Sequence, residues 1–466
     1  MKASEYIGQD GVGLSRLIKH KQVSRREVLE AGIHLIESMN PRINAVIFEN
    51  FGVLPLQEHQ YSISPLDGVP FLLKDVNLYS SDMPTTFGSC YFRGASAKPD
   101  SVIVDRWRRA GLVILGKTNT PEFAAEFVTE PRAFGITRNP QGYDLTVGGS
   151  SGGAAAAVAS GMVPVAHATD LGGSIRIPAA CCGIFGFKPT AGLNPTEPYF
   201  QEIAGGLNSD HVISRTVRDS AASLDITSAG FSNGTSFLEG LNRRVPELTI
   251  GMCLKDPVGR LCGSDQRDAV LRAAQVLEAH GHHIVEYQYP DGLDATPWFD
   301  HLWIFDIVRL VDERAREIGR APTTEDLEPL TFHLLEKAKA GAIAAHVRAR
   351  DARRAYTIRY LESMRGIDIC LTPTLAVNPP HVGSLNFNAF TDVDAWSKAG
   401  YEFAPFSIPS NISGQPSASC PYFKNSVGLS VGVQLSGKPG DDLLVLQLCA
   451  QLEMSSDANL KELSEA

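Results

Sequence analysis

The sequence predicts an α/β protein, and three observations carry that prediction. Helices and strands alternate: a helix opened by Asp100 and stopped by Gly111 precedes Val113-Ile114-Leu115, and a helix opened by Ser264 and ended by Gly281 lies between Leu248–Met252 and Ile284-Val285. Such alternation predicts a largely parallel sheet. The run Leu66–Lys74 is apolar almost throughout and reads as a buried strand ending in a cation. The composition, 43% hydrophobic and 20% charged, is that of an ordinary globular protein with a core that needs no staples. Length alone suggests about three domains at ~150 residues each.

Charge and motif content exclude several function classes. A net charge of −10 argues against nucleic-acid or anionic-membrane partners. No run of about 18 apolar residues predicts a membrane-spanning helix. The first residues, MKASEYIGQDGVGL, lack the apolar stretch of a signal peptide, so a cytoplasmic protein is expected. The 8 cysteines are scattered without a C-x-x-C, which predicts reduced thiols and neither zinc nor a redox pair. His280, His282 and His283 match no familiar ligand spacing and read as a helix-end cluster. No cofactor or metal is expected.

The remaining elements follow in order. Ser24-Arg25-Arg26-Glu27 is a capping box that opens a helix to about Met39, ended by Pro41. Asn44–Ile47 reads as a short strand, and residues 48–64 as a link of undefined structure. Arg218 begins a helix. Residues 296–365 change character and predict three long helices, Trp298–Ile318, Glu325–Ala340 and Ala342–Met364, with Trp298, Phe299, Trp303 and Phe305 read as core. Arg348, Arg350, Arg353, Arg354 and Arg359 read as a solvated helix face. Asp368–Thr374 is a strand leading into a loop, and residues 378–404 predict a long loop that could wall or cover a substrate.

The stretch Tyr143–Thr190 carries the chemistry. It holds two glycine–serine loops, Gly148-Gly149-Ser150-Ser151-Gly152-Gly153 and Gly172-Gly173-Ser174, separated by a small-residue helix, Ala154–Ser160. Glycine exposes backbone N–H groups to a ligand, and a loop that opens a helix adds the positive end of the helix dipole. Either loop could hold a developing oxyanion, and each carries a serine that could attack. Read alone, Lys74 is a snorkelling surface residue at the end of its strand. Desolvated, the same amine becomes a base near neutral pH.

These residues resemble the signature of the amidase signature family. Leu66–Asp75, Gly116–Phe123, the Tyr143–Thr190 stretch, Asp368–Thr374 and Phe406–Pro421 all carry the likeness, which is dense over residues 66–219 and sparse over 290–365, and a divergent, largely helical region of about 290–405 is expected to build the substrate pocket. The resemblance implies one α/β domain over 1–466, a large mixed sheet wrapped in helices, in place of several domains. It implies Ser174 as nucleophile, Ser150 as the serine after a cis peptide bond and Lys74 as the base. The N–H groups of Leu171, Gly172, Gly173 and Ser174 would hold the oxyanion. Asp170 and Arg176 would tie that loop in place. Ser151 would position the first loop, its plainer role being a helix cap. Asp75 would orient Lys74 or cap a turn, and Lys117 reads as a surface or structural lysine.

The implied activity is hydrolysis of amide C–N bonds in a small molecule through an acyl-enzyme, extending to esters or carbamates. The chain resembles stand-alone family members, including hydrolases of cyclic nylon oligomers and of aryl amides, and Ile175–Thr190 is especially similar to the nylon-oligomer type. Two alternatives stand beside it. One is the glutaminase subunit of a tRNA-dependent amidotransferase, whose members usually carry glutamine where this chain has Ile177. The other reads Gly148–Gly152 as G-x-S-x-G, an α/β-hydrolase elbow with Ser150 as nucleophile and His211 or His381 as base. The sequence leaves a homodimer open.

Overall fold

A computed structural model describes residues 1–52, 62–200, 203–228, 236–339 and 342–465. The middle of the 48–64 link and Ala340 lie outside the described residues. The strands are β1 (Val46–Glu49), β2 (Pro70–Lys74), β3 (Val113–Thr118), β4 (Arg138–Asn139), β5 (Gly142–Thr146), β6 (Val165–Asp170), β7 (Phe185–Lys188), β8 (Ser209–Ser214), β9 (Thr249–Met252), β10 (His283–Glu286), β11 (Ile369–Pro373), β12 (Ser417–Lys424) and β13 (Ser430–Ser436). Eleven form one sheet in the order β1-β3-β2-β6-β8-β7-β12-β13-β11-β9-β10, and β4 and β5 pair separately.

The sheet is mixed rather than largely parallel, and the connections explain where each kind of pairing falls. β3, β2 and β6 pair parallel, as do β11, β9 and β10. Here a helix carries the chain back over the sheet between paired strands, Val102–Arg109 between β2 and β3 and Ser264–Ala279 between β9 and β10. Between these wings β6, β8, β7, β12, β13 and β11 pair antiparallel. Strands β2, β3 and β6 are buried at every residue, as strands covered on both faces must be.

The helix Gly152–Ala159 is buried from Gly152 to Val158 and packs in a core with Ile36, Leu72, Leu115 and Ile213. Its glycines serve close packing: a Cβ on Gly153 would stand 2.4 Å from the Asn119 nitrogen, and one on Gly149 2.7 Å from that of Val128. This backbone contact, rather than an open N–H surface, is what the first glycine run provides.

Several local expectations need correction. Pro41 does not end its helix, which runs Arg25–Ile43 and stops where Asn44 turns left-handed at φ 57°. A proline in the last turn removes one donor without breaking the helix before it. Ser101, not Asp100, occupies the cap position of Val102–Arg109, while the Asp100 carboxylate receives the Ser81 N–H and Arg108. Gly263 takes the cap position before Ser264. The 378–404 segment is not one long loop, because Asp392 accepts the Ala395 N–H and starts a helix, Val393–Phe403. The eight cysteines are free thiols. No helix of the described residues is long and apolar enough to cross a membrane.

Candidate active site

Parallel pairing of β2 with β6 delivers Lys74 and Thr169 to the same edge of the sheet, at the carboxyl ends of both strands. Ligand sites of α/β sheets gather at this edge. The two glycine–serine loops meet there, joined by the Ser151 N–H donating to the Ser174 carbonyl at 3.2 Å. The peptide bond between Gly149 and Ser150 is cis.

Lys74 is fully buried and its Nζ lies 2.7 Å from Ser150 Oγ, 2.9 Å from Ser151 Oγ and 2.9 Å from Thr169 Oγ1. All three contacts are hydroxyls. An ammonium could donate to all of them; a neutral amine has two hydrogens and a lone pair, so one hydroxyl must turn and donate to it. Burial pulls the Lys74 pKa down to about 7, against the pull of the Asp210 and Asp170 charges. Near neutral pH, therefore, the amine is available as a proton acceptor. Behind it, the Lys74 N–H donates to His167 Nδ1 at 3.2 Å, and His167 Nε2 stands 3.1 Å from Asp210 Oδ1. An accepting Nδ1 leaves the proton on Nε2, facing the carboxylate. Burial holds His167 below its ordinary pKa.

The second loop is held by an ion pair. Asp170 receives Arg176 Nε and Nη2, each at 2.9 Å, and both side chains are fully buried. Arg176 also reaches Ser410, Gln434 and Asn411, while Asn411 Nδ2 donates back to Asp170. Although burial opposes it, the Arg176 charge is decisive and the Asp170 pKa falls to about 2. Asp170 also takes the Gly173 N–H at 2.7 Å. Of the N–H groups expected to hold an oxyanion, that of Gly173 is thus committed to the loop's own anchor.

The loop opens on a cavity that Gly149, Ser150, Thr169, Leu171, Gly172 and Ser174 line. Its other walls are largely apolar. Phe299, Trp303, Ile307 and Leu310 come from the 296–318 region, and Trp396 and Tyr401 from the Val393–Phe403 helix. Trp298 instead packs on Tyr356, so the aromatic cluster divides between core and cavity. A third wall, Val76, Phe87 and Phe123–Phe127, comes from a part of the chain that was not expected to line the substrate space.

Other expectations resolve differently. Ser151 sits at the cap position of Gly152–Ala159 but its side chain caps nothing there; it receives Lys74 and donates to the Thr169 carbonyl. Asp75 does not orient Lys74. Its carboxylate receives the Thr86 N–H and lies 3.3 Å from Lys117 Nζ, and Lys117 is fully buried rather than on the surface. Neither histidine of the elbow reading serves Ser150: His211 Nε2 is paired with Ser220 Oγ at 2.8 Å, and His381 is exposed beside Asp144. Sequence reasoning missed Thr169, His167 and Asp210. For two of them the signal was present in the VAHATD run of β6, where His167 and Thr169 alternate with alanines on a strand buried at every residue.

A mixed sheet with a serine–lysine cluster at the carboxyl edge of its strands is the architecture of an amide-bond hydrolase. Residues 27–446 match the family model described as Amidase, and the chain belongs to the amidase signature family, whose members hydrolyse amide C–N bonds. It is 36% identical to 6-aminohexanoate-cyclic-dimer hydrolase of Paenarthrobacter ureafaciens over 96% of this chain and 94% of that one. Among solved structures, 6-aminohexanoate cyclic dimer hydrolase complexed with substrate superposes with a TM-score of 0.90 at 33% identity, covering 96% and 97% of the two chains. A bacterial aryl acylamidase of the amidase signature family superposes with a TM-score of 0.85 at 27% identity, covering 96% of both.

Proposed function

We propose that the chain is a free-standing serine amidohydrolase that acts on bulky, cyclic or aryl amides through an acyl-enzyme on Ser174. The observation that carries this reading is Lys74: a buried amine with a pKa near 7, bonded to Ser150 beside a cavity that Ser150 and Ser174 both line. Neutral Lys74 takes the Ser150 proton as Ser150 takes that of Ser174, and Ser174 Oγ bonds to the substrate carbonyl carbon. The carbonyl oxygen becomes an oxyanion held by backbone N–H groups of Leu171, Gly172 and Ser174. Collapse breaks the C–N bond as the relay returns a proton to the leaving nitrogen. Water, deprotonated by the same relay, then releases the acid and restores Ser174. Esters and carbamates pass through the same acyl-enzyme and fall within this chemistry.

Two observations favour a stand-alone enzyme over a glutaminase subunit. Ile177, where those subunits usually carry glutamine, is buried and lines the cavity, and the walls beyond it are aromatic. A cavity lined this way suits a substrate less polar than glutamine.

Nitroaniline release from a set of acyl nitroanilides tests the reading, with Ser174→Ala assayed beside the wild type. Loss of a nucleophile of this kind is expected to lower turnover by at least about 10⁴-fold with the melting temperature retained. Substantial release by a folded Ser174→Ala protein would overturn the assignment.

A further inference from the structure

In the wall formed by Phe123–Phe127, the cavity contains a group that the proposed chemistry does not use. Glu126 lines it, is only 8% exposed, and has a carboxylate oxygen, Oε2, buried with no hydrogen-bond partner. The Glu126 carbonyl lies against Gly149, where a Cβ would stand 2.8 Å from it, so the residue is locked to the loop that carries Ser150. Side chains from several elements make its surroundings electronegative. Glu122 and Glu130 lie on its own segment, Glu328 comes from just before the Pro329–Lys339 helix, and Asp306 lines the same cavity. Among the described residues, the lining contains no lysine, arginine or histidine. Glu122 and Glu328 are engaged elsewhere: Glu122 receives Ser89 and the Glu328 N–H, and Glu328 receives the Arg132 N–H. Asp306 receives the Ala204 N–H at 2.6 Å. Glu126 thus lines the substrate space with its carboxyl receiving the Phe387 N–H and with Oε2 left as unused acceptor capacity.

We propose that Glu126 is a specificity residue that pairs with an ammonium carried by the substrate at a distance from the scissile amide. This rests on the amidase reading above and names its substrate class: amides bearing a primary amine on a short alkyl arm. A buried carboxylate without a partner is costly, and a cation delivered by the ligand removes that cost. Burial and the neighbouring glutamates push the Glu126 carboxyl well above its usual range. The same negative field draws in a cation, and linkage requires that the cation favour the ionised carboxyl as much as that carboxyl favours the cation. Anionic acyl groups are excluded by the same field. Near the chemistry the cavity offers hydroxyls and N–H groups; at Glu126 it offers charge, so the two ends of a substrate are distinguished.

The test compares ω-aminohexanoyl and heptanoyl para-nitroanilides, which match in length and differ in the terminal charge. In the Glu126→Gln protein the ratio of kcat/KM for the amino substrate to that for the neutral one is expected to fall at least about tenfold, the scale of one charge-assisted hydrogen bond. An unchanged ratio overturns the proposal, whether both rates fall together, as a structural role for Glu126 would cause, or neither moves. Calorimetry on the Ser174→Ala protein supplies a measurement independent of turnover and of the Gln variant's folding. Hexylammonium should bind at least about tenfold more tightly than hexanol; equal affinity overturns the proposal. If the wild type releases nitroaniline from neither substrate, the amidase assay has failed, and the calorimetric comparison still decides the charge preference.

Discussion

Two lysines stand on neighbouring strands of the same sheet, and their difference explains how the site works. Lys74 ends β2, and Lys117 lies on β3 opposite Leu73 in a parallel register. Both are fully buried, and burial pulls both below the ordinary lysine pKa. Their partners differ. Lys117 has the Asp75 carboxylate at 3.3 Å and Thr85 Oγ1 at 2.6 Å. Lys74 has three hydroxyls and no carboxylate in contact; Asp170 and Asp210 act on it only through space. A carboxylate in contact favours the charged amine and makes a structural ion pair, whereas hydroxyls can accept from an ammonium or donate to a neutral amine. Depth of burial is the same at both sites, so the partner decides which lysine can act as a base.

The largest effect expected from this comparison is at Lys74 itself. Lys74→Met removes the proton acceptor and fits an apolar chain of similar length into the same space. Turnover of a nitroanilide should fall by at least about 10³-fold. The melting temperature should stay within a few degrees, because the lost hydroxyl contacts, at about 1 kcal/mol each, are offset by relief of amine desolvation. Near-normal turnover in this variant would remove Lys74 from the chemistry and end the comparison.

Next in size is a change that makes Lys74 resemble Lys117. The working form of Lys74 is the neutral amine, so kcat/KM should rise with pH through about 7 and level off above it. Below that midpoint it should fall about tenfold per unit as the amine protonates. Thr169→Asp places a carboxylate where a hydroxyl now meets Nζ. The charged form is then favoured, and the midpoint of the acid limb should move upward by at least about one unit. A pH profile whose midpoint stays near 7 in Thr169→Asp would mean that the limb belongs to another group.

The sequence disclosed the two ends of this site unequally. Ser174, Ser150 and Lys74 were legible because the glycine–serine loops and the strand before Lys74 are local patterns. The split between Lys74 and Lys117 was not, since both follow apolar runs and the hydroxyl and carboxylate partners come from distant segments. Asp75 adjoins Lys74 in sequence yet turns away to serve Lys117, a choice made by the alternation of side chains along the strand. Alternating helices and strands disclosed the wings of the sheet correctly. The antiparallel centre was hidden because β7 leads into β8, and β12 into β13, without a crossover α-helix among the described residues. The Val393–Phe403 helix was obscured by the prolines and glycines before it, although Asp392 supplied a capping signal. Glu126 was unreadable because its isolation is a property of what surrounds it in space.

The smallest expected effect tests whether the hydroxyls hold Lys74 or merely fill space. Ser151 Oγ accepts from Lys74 Nζ at 2.9 Å, donates to the Thr169 carbonyl at 3.2 Å and receives the Thr169 N–H at 3.3 Å. Ser151→Ala removes one acceptor that favours the ammonium, so the acid limb of kcat/KM should move downward, by less than about one unit. The amine also loses one of three contacts that aim it at Ser150, so kcat should fall by about tenfold, the cost of one neutral hydrogen bond. Helix stability should change little, because the side chain makes no cap bond to Gly152–Ala159. The direction of the pH shift is the discriminating result. A downward shift with reduced kcat identifies Ser151 as a positioning residue that acts through Lys74. An upward shift would mean that loss of the hydroxyl lets water or a carboxylate approach the amine, so that exclusion of charge, rather than hydrogen bonding, keeps Lys74 neutral.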